Sequence, residues 1–183
     1  MKFTPFPNLA SKRLALRKLE ERDAETILFL RSNDIVNQFI KRPERRQTKT
    51  ISDALIFIQT QEQNLKTNIS IVWGITLINE LQLIGSICLW NFTEKKDIAE
   101  VGYDLNPKFH NKGIMSEALN LVVSFGFNQL KLQKIEAFTD TNNENSKRLL
   151  TKNGFILNPS RKDVDNDSNL IYEIFEGTVN SNL

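Results

Sequence analysis

Apolar residues recur along the chain with two spacings, and each spacing predicts one kind of element. Alternating apolar and polar positions, or short runs rich in β-branched residues, are typical of strands. The segments with this pattern are 13–19, 70–78, 83–90, 98–105, 134–139, 155–157 and 170–175. A short turn at Asn79 and Glu80 joins the second segment to the third, so we expect a hairpin there.

Apolar residues three or four positions apart predict helices between these strands. The segments with this spacing are 20–31, 52–64, 114–130 (or 113–130) and 143–153. Asp23 and Ser52 are suited to capping the first two, because a short polar side chain accepts a hydrogen bond from the first amides of a helix. Gly154 is suited to ending the last helix. The element order is β-α-α-β-β-β-α-β-α-β-β without an internal repeat, which indicates one mixed α/β domain over residues 1–183.

Composition narrows the classes of function. The apolar fraction of 40% and the charged fraction of 25% are ordinary for a globular domain. The net charge is only +2, so direct binding to nucleic acid is not expected. No run of about 18 apolar residues and no apolar N-terminal segment is present, so we expect a cytoplasmic protein without a membrane partner.

The chain has one cysteine, Cys88, and one histidine, His110. These counts exclude an internal disulfide and a cysteine-based zinc site, and we expect no metal. Because Cys88 lies within an apolar run, we interpret it as a packing residue rather than a nucleophile.

The segment 99–119 carries the strongest functional signal. It combines a short strand, a turn marked by Pro107, a loop containing Gly113, and the start of an amphipathic helix. The first amides of a helix have no intrahelical partner and attract anions, so this arrangement suits a phosphate or coenzyme pyrophosphate. A plain capped helix start is the alternative. A P-loop is excluded, because Lys112 precedes its glycine and the sequence has no G-x-x-x-x-G-K-[ST].

Several blocks together resemble the GNAT superfamily of N-acetyltransferases, and within it the branch that acetylates ribosomal protein N-termini. They are, in order, SKRLALRKLEERDA, WGITL, LIGSICLW, EVGYDLNP, HNKGIMSEAL and NENSKRLLTKNGF. The resemblance implies acetyl-CoA as cosubstrate and a mostly antiparallel twisted sheet of about seven strands, flanked by about four helices. It also implies that the fourth and fifth strands, 98–105 and 134–139, splay apart.

The superfamily's coenzyme loop (Gln or Arg, two residues, Gly, one residue, then Gly or Ala) falls on residues 110–115. Carried over, it implies that the coenzyme binds to His110, Asn111, Lys112, Gly113, Ile114, Met115 and Ser116. His110 and Met115 depart from the general pattern, although Met is usual in the ribosomal-type branch. Asn111 replaces that branch's glycine, and Asn tolerates the left-handed conformation better than most residues. The pantetheine arm is expected to pair with the backbone near Leu105.

The resemblance also implies catalytic residues for attack of a neutral amine on a thioester. Glu100 is the candidate general base, directly or through a water; a purely structural carboxylate is the alternative. Ser146 matches the serine of the branch's Asn-x-x-Ser motif and would protonate the departing thiolate, while Asn143 would hold the coenzyme arm. Helix capping is the alternative for both residues. For His110, a coenzyme-side contact is favoured over a role as base.

The acceptor is the open part of the prediction. A protein or peptide α-amine is favoured as the acceptor. Its pKa is near 8, so about a tenth of it is neutral at pH 7. A polyamine, an antibiotic or an amino acid is the alternative acceptor, and a coenzyme-binding module without transfer is a second alternative. The resemblance implies that a basic segment of Lys41, Arg42, Arg45 and Arg46 forms one wall of the acceptor site. A solvated loop is the favoured interpretation, and attraction of an acidic acceptor or a ribosomal RNA surface is the alternative. Monomer and homodimer are both left open.

Overall fold

An open sheet of eight strands organises residues 2–177, the part of the chain that the computed structural model describes. The strands are β1 (Leu9–Ala10), β2 (Leu14–Arg17), β3 (Ile71–Leu77), β4 (Leu83–Trp90), β5 (Ile98–Leu105), β6 (Lys134–Asp140), β7 (Ile156–Leu157) and β8 (Asn169–Phe175). Their order across the sheet is β1-β2-β3-β4-β5-β6-β8-β7. Neighbours are antiparallel except β5 and β6, which run parallel.

Helices cover both faces of this sheet. They are α1 (Ala24–Ser32), α2 (Asp34–Asn37), α3 (Ile51–Lys66), α4 (Ile114–Asn128) and α5 (Glu144–Lys152). The larger apolar cluster contains Ile84 and the buried side of α4, whereas a smaller cluster contains Leu83 and residues of α1 and α3. Since successive strand residues face opposite sides of a sheet, α4 and the α1–α3 pair lie on opposite faces. None of the helices described is long and apolar enough to cross a membrane.

The predicted class, a mixed α/β fold built on a mostly antiparallel sheet, is confirmed. Each predicted strand and helix has a counterpart within a few residues. The strand β1 and the four-residue helix α2 were not predicted, because segments this short show no periodicity. The turn of the β3–β4 hairpin includes Asn79 as predicted, with a left-handed φ of 63°.

Two predicted helix caps are wrong. Thr50 rather than Ser52 caps α3, because the Thr50 side chain accepts from the Asp53 amide in a reciprocal capping box. Asp23 precedes α1, but its carboxylate does not bond the first amides of α1. It accepts from the Glu20 amide at 2.8 Å in the turn before α1 and binds the Arg17 guanidinium at 2.7 Å. The ion pair between Asp23 and Arg17 of β2 could not be predicted from helical periodicity.

The splay between β5 and β6 is confirmed by their register. The two strands pair only at Ile98 with Lys134, Ala99 with Ile135, and Glu100 with Glu136. On its other side, β5 pairs with β4 as far as Leu105. The edge of β5 beyond Glu100 therefore faces a cleft instead of a neighbouring strand.

Candidate active site

The cleft at the splay brings together nearly all of the predicted site residues. The predicted residues that line it are Glu100, Leu105, His110, Asn111, Gly113, Ile114, Met115, Ser116, Asn143 and Ser146. Lys112 is the exception, because its side chain turns outward and places Nζ 5.2 Å from the centre of the Phe109 ring. The starts of α4 and α5 form one half of the cleft. The segment between α2 and α3 and the β7–β8 loop contribute to the other half.

The loop before α4 has the backbone conformation of an anion site. Asn111 and Gly113 have positive φ angles of 59° and 73°. A glycine adopts this conformation without strain, whereas a side chain at Gly113 would be strained although the nearest atom lies 3.6 Å from the added Cβ. Within residues 2–177 no side chain caps α4. The first amides of α4 are thus left for an anion, which fits the pyrophosphate of a coenzyme.

Contacts from β2 and its preceding turn hold this loop in place. Arg13 donates to the Lys112 carbonyl oxygen at 3.1 Å and to the Glu117 carboxylate at 2.7 Å. Ser11 donates to the other Glu117 oxygen. These residues are about a hundred positions apart and only the folded chain brings them together, so sequence reasoning missed them.

Two further predicted residues are anchored within the cleft. A ring nitrogen of His110 lies 3.0 Å from the carbonyl oxygen of Leu105. This contact occupies an oxygen that was expected to serve the pantetheine arm, so the arm would need the neighbouring backbone groups of β5 or a turned His110 ring. The Ser116 hydroxyl donates to Asn153 at 2.8 Å and ties the start of α4 to the end of α5.

Glu100 has the electrostatic properties of a base. It lies at the last position where β5 pairs with β6, opposite Glu136 on β6 and Trp90 on β4. Burial raises the pKa of the Glu100 carboxyl from 4.5 to about 7, the charges of Asp163 and Glu136 add to the rise, and a hydrogen bond from Asn91 opposes it. A carboxyl group with a pKa near neutrality both accepts and releases protons at physiological pH.

Ser146 lies beside Tyr103, which the sequence analysis did not assign to the site. Its hydroxyl group is 2.8 Å from the phenol oxygen of Tyr103, which projects from β5. Burial raises the pKa of Tyr103 to about 12, and the bond with Ser146 acts in the opposite direction. The two hydroxyl groups form one hydrogen-bonded unit at the splay.

Asn143 caps α5, because its side-chain oxygen accepts from the Ser146 amide at 3.1 Å. Its side-chain NH2 group has no hydrogen-bond partner among the described residues. Capping and ligand binding are therefore compatible at this position, since they use different atoms of the same amide.

The other half of the cleft is built on a buried carboxylate. Asp104 accepts from the Ser86 hydroxyl at 2.7 Å and from the Ser86 amide at 3.0 Å. The Arg42 guanidinium lies 3.8 Å from the other Asp104 oxygen, too far for a hydrogen bond. Burial raises the pKa of Asp104 and lowers that of Arg42, with each charge opposing the shift of the other. Sequence reasoning missed Asp104 entirely.

The basic segment is not uniformly a solvated loop. Arg42 has a side chain only 15% exposed and lines the cleft, so the solvated interpretation is wrong for it. Arg46 is exposed and its guanidinium carbon lies 6.0 Å from the Trp90 ring centre. Lys41 reaches the oxygens of Asn166 and Ser168 on the β7–β8 loop at 3.3 and 3.2 Å. The Arg45 side chain lies outside the described part of the structure.

Comparison with known proteins decides the family. Residues 13–156 match the family described as Acetyltransferase (GNAT) domain. The chain belongs to the GNAT acetyltransferase family. The uncharacterized N-acetyltransferase YoaA of Bacillus subtilis is 37% identical over 150 residues, which cover 82% of this chain and 83% of YoaA. An N-acetyltransferase enzyme, as the sequence predicted, is thereby confirmed.

Solved GNAT structures support the fold. The ribosomal-protein-S5-alanine acetyltransferase of Vibrio fischeri superimposes with a TM-score of 0.79 at 21% identity, over 94% of this chain and 98% of that one. RimJ of Mycobacterium smegmatis, solved with CoA-disulfide, gives a TM-score of 0.76 at 20% identity, over 93% and 86%. At these identities the likeness concerns the fold.

Cys88 is unsuited to covalent catalysis in this GNAT domain. Its thiol lies 3.5 Å from the carbonyl oxygen of Gly102. Burial raises the pKa of the Cys88 thiol to about 12, so a thiolate does not form at neutral pH. The packing interpretation made from the sequence agrees with this environment.

Proposed function

We propose that the protein is an acetyl-CoA-dependent N-acetyltransferase that acetylates the N-terminal α-amine of a protein or peptide. The observation that carries this proposal is the splay at Glu100. There a strand edge, an uncapped helix start and a carboxyl group with a pKa of about 7 share one cleft. The ribosomal-type neighbours favour a protein acceptor, and a cytoplasmic location follows from such an acceptor.

The coenzyme half of the cleft is proposed to bind acetyl-CoA, which supplies the activated acetyl thioester. The amides of Gly113, Ile114, Met115 and Ser116 would bind the pyrophosphate, with His110 and Asn111 shaping the loop. Lys112 contributes through its backbone and through a positive charge outside the cleft. The edge of β5 near Leu105 and the Asn143 amide would bind the pantetheine arm.

Glu100 is proposed to take the proton from the acceptor ammonium group. An α-amine with a pKa near 8 differs by about one unit from a Glu100 pKa of about 7, so this transfer is only slightly uphill. A lysine amine with a pKa of about 10.4 would make the same transfer much less favourable. The match in acidity supports an α-amine over a lysine side chain.

Ser146, hydrogen-bonded to Tyr103, is proposed to protonate the departing thiolate. In this step the nitrogen–carbon bond forms, the carbon–sulfur bond breaks, and the sulfur takes a proton from the hydroxyl pair. The proton that the nitrogen releases as it becomes an amide passes to solvent, and solvent returns a proton to the hydroxyl pair. Tyr103 supports Ser146 because either oxygen of the pair can donate. The retention of Glu100, Asn143 and Ser146 in one cleft argues against a coenzyme-binding module without transfer.

The test is calorimetry with acetyl-CoA followed by a thiol-release assay against N-terminal peptides, polyamines and aminoglycosides. Micromolar binding with thiol release on peptides is the expected result. Binding together with release only on a small amine would replace the peptide acceptor with that class. Absence of acetyl-CoA binding would contradict the coenzyme assignment of residues 110–116.

A further inference from the structure

The acceptor half of the cleft carries an excess of positive charge on one face of the sheet. Glu100, Gly102 and Asp104 alternate along β5 and so share a face. Arg42 lies near Asp104, and Arg46 lies over Trp90, which pairs with Glu100 across the sheet. Arg42 therefore lies at the Asp104 end of this face, and Arg46 lies at the Glu100 end.

Arg42 is the most informative residue of this face. Its guanidinium group is largely buried, yet it makes no hydrogen bond with any described residue, and its nearest carboxylate oxygen lies 3.8 Å away. Asp104 directs its hydrogen bonds to Ser86 instead. A guanidinium group carries five N–H donors, and among the described residues none of the Arg42 nitrogens is both buried and without a partner. These donors therefore face the cleft, where an anionic group can bind them.

Arg31 adds to the same charge but is already engaged. It donates to the Thr48 hydroxyl and to the Arg46 carbonyl oxygen, both at 2.8 Å, and its guanidinium carbon lies 4.0 Å from the centre of the Phe57 ring. Burial and then the charge of Arg42 lower the pKa of Arg31 to about 10, so it stays charged at neutral pH. Arg31 therefore positions the segment that carries Arg46, whereas the Arg42 guanidinium remains available to a ligand.

The Glu100 end of the face combines carboxyl groups with the exposed Arg46. The negative charge of Asp163 from the β7–β8 loop acts on Glu100. Four residues of a strand separate Glu100 from Asp104, a distance of about 13 Å. Gly102, midway between them, has no side chain, and a Cβ there would lie 3.2 Å from the Cys88 sulfur. The floor between Glu100 and Asp104 is therefore open.

We propose that the acceptor is an N-terminal peptide with an acidic side chain at its third residue, which binds Arg42 while the α-amine lies at Glu100. An extended chain advances about 3.3 Å per residue, so the third Cα lies roughly 8 Å from the α-amine and its carboxylate ~3 Å further, close to the separation of about 13 Å between Glu100 and Asp104. This inference rests on the proposed function and specifies its acceptor. The Arg42 charge disfavours polyamines and aminoglycosides, which are cations.

The experiment compares kcat/KM for matched peptides that carry Asp, Asn or Lys at the third position. The wild-type enzyme should prefer Asp over Asn by about ten- to a hundredfold, mainly through KM, because a charge-assisted hydrogen bond is worth that ratio. Raising the salt concentration should shrink the preference. Lys peptides should be poorer acceptors than Asn peptides.

Variants assign the preference to individual residues. Arg42→Gln is combined with Asp104→Asn so that no carboxylate loses its partner. This double variant should move the Asp-to-Asn ratio toward one while acetyl-CoA affinity by calorimetry is unchanged. Lys49→Gln is the matched control, since Lys49 belongs to the same segment but lies outside the cleft and faces Glu44 at 4.0 Å.

Equal kcat/KM for Asp and Asn peptides in the wild-type enzyme would overturn the inference and leave the proposed function standing. Acetyl-CoA binding without transfer to any peptide would overturn the inference as well. Absence of acetyl-CoA binding would overturn the proposed function together with the inference. A preference that Lys49→Gln abolishes as strongly as Arg42→Gln with Asp104→Asn would contradict the assignment to the cleft.

Discussion

The two halves of the cleft are built in different ways. The coenzyme half uses the starts of α4 and α5, where backbone amides and a few adjacent side chains form the site. The acceptor half joins β4, β5, the end of α1 and the segment after α2 through charged side chains. A backbone site keeps its chemistry when side chains vary, whereas a side-chain site can be changed by single substitutions. Specificity in this fold is therefore expected to reside in the acceptor half.

The largest effect on activity is expected from a substitution at Glu100, where the two halves of the cleft meet. Glu100→Gln should lower kcat/KM by roughly a hundred- to ten-thousandfold, because a positioned base contributes about that factor. In the wild type, kcat/KM should rise with pH through a group of pKa about 7, and the variant should lose this step. Steady-state kinetics from pH 5.5 to 9 would measure both.

The thermal stability of Glu100→Gln distinguishes a catalytic role of Glu100 from a structural one. The folded-state pKa of Glu100 is raised above 4.5, so its contribution to stability falls as the pH rises from about 4.5 to about 7. Above pH 7 the buried charge opposes folding, and Glu100→Gln should unfold at the same or a higher temperature than the wild type. A variant that lost activity and stability together at pH 8 would support a structural carboxylate instead.

The next effect concerns the hydroxyl pair. Ser146→Ala should lower turnover by roughly ten- to a thousandfold with little change in acetyl-CoA affinity. Tyr103→Phe should act in the same direction, and the double variant should be little worse than the single ones, because the two groups work as a unit. Single-turnover kinetics and calorimetry measure the two quantities. Unchanged turnover in Ser146→Ala would remove its role as acid.

The difference between the halves also explains how far the sequence could predict the protein. Strands, helices and the loop at Gly113 follow from local periodicity and from one contiguous motif, and all appear in the structure. Arg13 with Glu117 and Arg42 with Asp104 join residues many positions apart, and no local pattern encodes them. Tyr103 lies in a recognised strand, but its contact with Ser146 depends on the splay. Cross-element contacts were thus the part that the sequence did not reveal.

A smaller effect is expected in the coenzyme loop. Gly113→Val should weaken acetyl-CoA binding by roughly tenfold or more, because a β-branched residue is disfavoured at a φ of 73° and would move the amides. Gly154→Val is the matched control: its φ is 84°, an added Cβ would also have its nearest neighbour at 3.6 Å, and it lies outside the cleft lining. Both variants should lose stability, but only the first should lose affinity. Undiminished binding by Gly113→Val would contradict the phosphate-loop assignment.

The smallest effect distinguishes a helix cap from a cap that also binds coenzyme. Asn143→Ala and Thr50→Ala each remove one side-chain acceptor, bonded at 3.1 Å in α5 and 3.2 Å in α3. Each should cost about 1 kcal/mol of unfolding free energy, a fall in melting temperature of roughly 2–4 °C. Only Asn143 lines the cleft, so only Asn143→Ala should also weaken acetyl-CoA binding in calorimetry. If both variants kept full affinity, Asn143 would serve as a helix cap alone and would not bind the coenzyme.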